Sequence, residues 1–294
     1  MDSPVPSRFE MEGAALAVRL AGDRGKPPLL LLHGFPASSS SFRKVMGALA
    51  ADCFVIAPDL PGFGGSEPIA QPTFARFADI VDGLLAQLGV ASFDLYLHDF
   101  GAAVGLHLAT RAPHRIRSLI VQNANAHASG LGPPWSATRA YWDHPTPQAA
   151  AQATAHLSQE GMRDQYVGGV PADIAARIDP GLWARDWRTM QLPGRMETQR
   201  ALVLDYRSHV ARYPEIADYL ARWQPPALML WGRHDSFFDI AETLDWMRAL
   251  PRMEAHVLDG PHFVLETHAA ECAAWMGAFL RRQDHVSSSS PRPS

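Results

Sequence analysis

The sequence predicts an α/β chain built on a mostly parallel sheet, with a helical cover inserted before its last strands. Three observations carry that reading. Short apolar runs bounded by turn residues recur, longer helix-like stretches separate the later ones, and strand runs vanish from about His127 to Trp223. Strands that are apolar at consecutive positions are buried on both faces, which a parallel sheet of βαβ units provides.

The strand runs of the first half are Leu29 to Leu32, Phe54 to Ala57, Phe93 to Leu97 and Leu119 to Val121. Helices are expected at Phe77 to Leu88 and Ala102 to Arg111. Ala227 to Trp231 and Ala255 to Leu258 resume the sheet, followed by a helix-like Ala269 to Arg281. The stretch between carries Trp135, Trp142, Trp183 and Trp187 in helix-like segments, punctuated by Pro145, Pro171, Pro180 and Pro193. The expected organisation is a core of 1–126 and 224–285, a helical cap of 127–223, and a disordered low-complexity tail of 286–294.

Composition narrows the function. With 294 residues and 47% apolar content there is ample material for a core. Lys+Arg 26 against Asp+Glu 30 gives a net charge of -4, which argues against an electrostatic nucleic-acid or membrane-surface binder. Two cysteines, Cys53 and Cys272, make neither a disulfide framework nor a cysteine zinc site and fit a reducing cytoplasm. The N-terminus shows no signal pattern, and no apolar run approaches bilayer-spanning length. The 13 histidines show no HExxH or comparable spacing, so neither metal nor cofactor is expected. A cytoplasmic protein follows, and a homodimer is compatible with it.

Four strand ends carry the chemistry. Phe93-Asp-Leu-Tyr-Leu-His-Asp-Phe-Gly101 turns sharply from strand to helix, holding Asp99 above the first helix amides, whose partial positive charge favours a carboxylate. Asp is also a preferred helix N-cap, so this segment alone is equally a plain helix start. His33-Gly-Phe-Pro36 ends another strand, with the Phe35 N–H available as an anion donor. Asp235 follows a late strand in Gly232-Arg-His-Asp-Ser-Phe237, and His262 follows the next in Asp259-Gly-Pro-His-Phe263. Together they place a carboxylate, an anion donor, an acid and a histidine at one sheet edge, where such folds bind ligands. His98 is expected to point away from the pocket. Gly101 and Gly105 are expected to let the elbow helix approach the sheet.

With its elbow residue, acid and histidine in that order, its HGFP, and Asp59-Leu-Pro-Gly-Phe-Gly-Gly-Ser66, the chain resembles the α/β-hydrolase family from about Leu29 to Phe279. The elbow usually carries Ser there. Asp99 matches the branch of epoxide hydrolases and haloalkane or haloacetate dehalogenases. One departure is Leu97, two before the nucleophile, where a small residue is usual. The resemblance implies a helically capped hydrolase fold and attack by Asp99 on an sp³ carbon, giving an aspartyl ester. His262, oriented by Asp235, would then activate water, with the Phe35 and Phe100 N–H groups holding the oxyanion.

The leaving group separates the members of that branch. Epoxide hydrolases of this fold use two cap tyrosines, which the resemblance places at Tyr206, in Asp205-Tyr-Arg207, and at Tyr141. Haloalkane dehalogenases usually carry Trp after the nucleophile and haloacetate dehalogenases Arg, whereas this chain has Phe100. Trp142 remains as a halide donor from the cap. The leading expectation is an epoxide hydrolase acting on a small uncharged organic substrate and water. A dehalogenase with the same machinery is the alternative, and a non-catalytic ligand-binding homologue is the reading of another class.

Overall fold

The computed structural model describes residues 5–11 and 13–289, with side chains to residue 283. Eight strands form one sheet: β1 Ser7–Met11, β2 Ala14–Ala21, β3 Pro28–Leu32, β4 Phe54–Pro58, β5 Phe93–His98, β6 Ile116–Gln122, β7 Ala227–Gly232 and β8 Glu254–Leu258. Their order is β1-β2-β4-β3-β5-β6-β7-β8. The pairs β1–β2 and β2–β4 are antiparallel and the rest parallel.

Alternation along each central strand explains the continuous apolar runs. Leu30, Leu32, Leu95 and Leu97 enter one core cluster, while Leu29, Leu31 and Tyr96 enter the other. Burying both faces leaves little room for polar side chains, and Asp94 of β5 is satisfied by Ser118 of β6, whose hydroxyl donates to it at 2.7 Å. At the sheet's edge β8 is only partly buried, and Val257 is exposed.

The chain runs from β3 outward to β4 and then crosses back to β5 on β3's other side. This reversal leaves a crevice at the carboxyl ends of β3 and β5, because the following helices leave toward opposite faces. HGFP and the Asp99 turn lie at those two ends.

Between β6 and β7 only helices occur, in particular Ser136–Asp143, Pro147–Ala153, Gln159–Val167, Gly181–Met190, Arg195–Ala211 and Tyr213–Trp223. The last packs on Phe100–Arg111 and Ala241–Ala249 and also on Arg195–Ala211, so it joins this stretch to the core layer. The entry to the cover is pinned by the fully buried Glu242. Its carboxylate accepts from the N–H groups of Ala126 and Gly130, at 2.7 and 3.1 Å, and from Ser129 Oγ at 2.9 Å.

The carboxyl-terminal helix, Ala269–Ser289, runs through 286–289, where a disordered tail was expected. An established helix extends at little cost per residue, so weak propensity there does not stop it. Residues 290–294 lie outside the described residues. Among the described residues no helix is long and apolar enough to cross a membrane.

Candidate active site

The Asp99 turn is strained. Asp99 adopts φ 50 and ψ -123, a conformation that costs a non-glycine residue on the order of 1–3 kcal/mol. Close approach around it is bought with glycine. A Cβ on Gly34 would stand 2.2 Å from Asp99 Cβ, and one on Gly101 2.4 Å from the Leu32 carbonyl oxygen. Gly105 accounts for the unusual Leu97: a Cβ there would fall 2.3 Å from Leu97 Cδ2. The bulky residue two before Asp99 is thus matched by a missing side chain on the helix that follows it.

Asp99 Oδ1 accepts from the backbone N–H of Phe35 at 2.9 Å and from that of Phe100. The carboxylate is therefore a helix cap and the occupant of a two-amide cradle at once. Oδ2 lies 3.6 Å from His262 Nε2. On the far side of the ring, His262 Nδ1 meets Asp235 Oδ2 at 2.7 Å. A proton on Nδ1 satisfies that carboxylate and leaves the lone pair of Nε2 facing Asp99.

Asp235 is itself fixed from every side. Its Oδ1 accepts from the N–H groups of Phe237 and Phe238 at 2.8 and 3.0 Å, and Oδ2 accepts from Asn123 Nδ2 at 2.8 Å. The Asn123 amide also bridges Gly232, donating to its carbonyl at 3.0 Å and accepting from its N–H at 2.9 Å. Asn123 sits at φ 36, a left-handed conformation that asparagine tolerates better than most residues.

Three side chains with no assigned role prove to support the histidine. Gln122 Nε2 donates to the His262 carbonyl at 3.0 Å, and the hydroxyl of Tyr96 donates to Gln122 Oε1. His98 does avoid the cavity, but it does not stand apart: its ring packs on that of His262 with centroids 4.6 Å apart. Burial, and then the neighbouring His262, hold His98 well below the ordinary imidazole range, so it stays neutral.

Burial pushes the Asp99 carboxyl up, against the pull of His262 and the two amides. For His262 burial opposes the cation, yet the charges of Asp235 and Asp99 outweigh it and the imidazole lies above its ordinary value.

Above Asp99 opens a cavity of about 330 Å³. Phe35, Phe100, Trp135, Val203, Phe237 and Phe238 form its apolar walls, and Tyr206, Thr138, Gln152, His156 and Gln165 its polar positions. Among the described residues neither lysine nor arginine lines it. Tyr206 is buried, its ring 4.5 Å from Trp135 and 6.0 Å from Phe100. Burial drives its hydroxyl well above the ordinary phenol range, so it stays a neutral donor.

Asp99, Asp235, His262, Tyr206, Phe35 and Phe100 thus converge as the sequence reading expects. Tyr141 and Trp142 do not. The helix Ser136–Asp143 lines the cavity with Ala137 and Thr138 in its first turn. Tyr141 and Trp142 follow four residues later, about 6 Å further along the axis. Trp142 packs on Trp135 there, its indole nitrogen buried without a partner. The Trp135 indole donates to the Phe237 carbonyl at 2.8 Å and is not free for a ligand.

The cover is tied to the loop that carries His262 through Tyr166. Its ring stacks on Phe263 at 4.3 Å, and its hydroxyl donates to the buried Asp186 at 2.6 Å. Burial raises the Asp186 carboxyl from 3.8 to about 6, although Tyr166 and Arg185 pull it down. Between those values the folded chain holds a proton that the unfolded chain releases, so stability falls as pH rises through the window. Asp186→Asn should remove this dependence, on the order of 3 kcal/mol. Denaturant titrations of both proteins at pH 4 and pH 7 read the difference, and parallel curves at the two pH values would contradict it.

Such a core, with an acid–base pair behind a carboxylate on a tight strand-to-helix turn, defines a hydrolase. The sequence profile of the α/β hydrolase fold matches residues 27–269, and the chain belongs to that family. An uncharacterized hydrolase from Saccharomyces cerevisiae is 33% identical over 268 residues, 89% of this chain and 92% of that protein. A haloalkane dehalogenase from Mycobacterium marinum is 27% identical over 86% of this chain and 84% of its own. Epoxide hydrolase 3 from Mus musculus is 24% identical over 89% and 72%. In structure, a haloalkane dehalogenase loop variant from Bradyrhizobium elkanii shares the fold, with a TM-score of 0.76 at 22% identity and coverage of 96% and 98%.

Proposed function

We propose that the chain is an epoxide hydrolase working through an ester of Asp99. The observation that carries this reading is the pairing, in one cavity, of a carboxylate whose Oδ1 is already held by two amides with the neutral hydroxyl of Tyr206. Oδ2 attacks an epoxide carbon and forms the ester bond. The ring C–O bond breaks, its electron pair goes to oxygen, and the Tyr206 hydroxyl supplies the proton, which water later returns. His262 Nε2 then takes a proton from a water that attacks the ester carbon. The oxyanion develops on Oδ1, where the Phe35 and Phe100 amides already point. Collapse breaks the ester C–O bond, the departing alkoxide takes the proton held by His262, and Asp99 is regenerated as a carboxylate with release of a vicinal diol.

A carboxylate nucleophile argues against ester substrates, since attack on a carbonyl would give an anhydride. The absence of a lysine or arginine on the cavity wall argues against haloacids, whose carboxylate would face Asp99 unpaired. The dehalogenase relatives favour a second reading, haloalkane hydrolysis. Against it, the Trp135 indole is engaged, and Trp142 lies off the cavity.

Tyr206→Phe separates the two. Diol formation from an aryl epoxide should fall by about 10²-fold or more, because ring opening loses its proton source. Bromide release from a bromoalkane, which needs no proton, should change little. Equal slowing of both would assign Tyr206 to packing, and wild-type turnover of the bromoalkane alone would establish the dehalogenase.

A further inference from the structure

With Tyr141 outside the cavity, Tyr206 is left as the one phenol among the residues described as lining it. We propose that Gln165 is the second group: its carboxamide N–H donates a hydrogen bond to the ring oxygen while the epoxide opens. The inference rests on the epoxide-hydrolase reading above.

The other polar positions on the cavity wall are less suited to that task. Gln152 is exposed on the open side. Burial holds His156 below the ordinary imidazole range, and its ring packs edge-on against Phe35. Thr138 has a short reach from the first turn of its helix. Gln165 lines the cavity and is only 5% exposed. Among the described residues its carboxamide has no hydrogen-bond partner. The amide opens onto the cavity without a protein partner, so a ligand seated there can complete it, which makes it a pointer to binding.

Its position is also fixed from behind. The next residue, Tyr166, is held by Asp186 and stacked on Phe263, directly beside His262. The helix Gln159–Val167 is thereby anchored over the strand end that carries the base, and Gln165 extends from a rigid support. In a cavity walled by aromatic rings, an oxygen gaining negative charge is stabilised far better by two fixed donors than by one. Tyr206 transfers its proton to that oxygen. Gln165 donates a hydrogen bond and keeps its own.

The test is single-turnover trapping of the Asp99 ester with styrene oxide, in wild type, Gln165→Leu, Gln165→Glu and Thr138→Val. Gln165→Leu should form the ester about 10²-fold more slowly. The ester, once formed, should hydrolyse within about threefold of the wild-type rate, which also reports an intact site. For Gln165→Glu the rate of ester formation relative to wild type should rise as pH falls, because a protonated carboxyl donates and an ionised one does not. Thr138→Val keeps the shape of the wall and should slow ester formation far less than Gln165→Leu. Unchanged ester formation in Gln165→Leu, a loss carried by Thr138→Val instead, or a flat pH ratio for Gln165→Glu would each overturn the role of Gln165. These leave the epoxide reading standing. A wild-type protein that forms no ester from styrene oxide yet is alkylated by a bromoalkane overturns both.

Discussion

His262→Ala should accumulate a covalent ester on Asp99 and go no further. Attack by Oδ2 needs only an ionised carboxylate and an electrophilic carbon, and the two amides that hold Oδ1 remain in place. Hydrolysis needs Nε2, which is lost. Removing a positioned general base slows its step by about 10²–10⁴-fold. Incubation with an aryl epoxide should therefore add one intact epoxide mass, oxygen included, to the peptide that contains Asp99. Turnover at the wild-type rate would remove His262 from the mechanism. The same logic sets the pH profile. Asp235 and Asp99 raise His262 above the ordinary imidazole value; once Asp99 is esterified Asp235 alone does so, and the hydrolytic step should switch on as pH rises through the value it sets. Asp235→Asn removes the larger of those charges. The onset should shift to lower pH, while the plateau falls because the ring loses its orienting acceptor.

What the sequence revealed and what it withheld follow from the physics of each element. The central strands were legible because burial on two faces writes an unbroken apolar run, and the residues just past them inherit a known place at the sheet edge. That is why Asp99, Phe35, Asp235 and His262 could be placed without coordinates. Strands β1 and β2 were not legible. Ser7–Met11 is largely exposed, and Ala14–Ala21 is rich in alanine, which carries little strand signal. In the cover no strand end supplies a reference point. Tyr206 came through a local motif, whereas Tyr141 was assigned by its distance along the chain, and one helical turn separates it from the wall it was expected to join. Gln165 carries no sequence signal at all, since its meaning lies in having no partner. The contact of His98 with His262 depends on side-chain direction at the end of β5, which spacing does not encode. Asn123, just past β6, is given no role by the sequence. Here it holds the acid that Asp235 provides from β7's end.

Replacing Asp99 has the largest expected effect, and it should separate chemistry from stability. On the proposed mechanism Asp99→Ala removes the atom that forms the ester, so no covalent mass should appear and turnover should cease; an adduct or residual diol formation would place the nucleophile elsewhere. Stability should respond differently to alanine and glycine. Both lose the carboxylate that caps the helix Phe100–Arg111, a loss worth about 1 kcal/mol. Both also relieve the burial that raises its pKa. Only glycine relieves the φ of 50, because without a Cβ it adopts positive φ about as readily as negative. Asp99→Gly should therefore be more stable than Asp99→Ala by about 1 kcal/mol, within the range of strain stored at such sites. Thermal or denaturant unfolding of the two inactive proteins measures the gap. If alanine proved the more stable, the turn would relax on losing the carboxylate, and the strain would belong to the hydrogen bonds of Asp99 with Phe35 and Phe100. If glycine does, the backbone itself is held in a costly shape so that one carboxylate oxygen stays on the amides while the other faces the cavity.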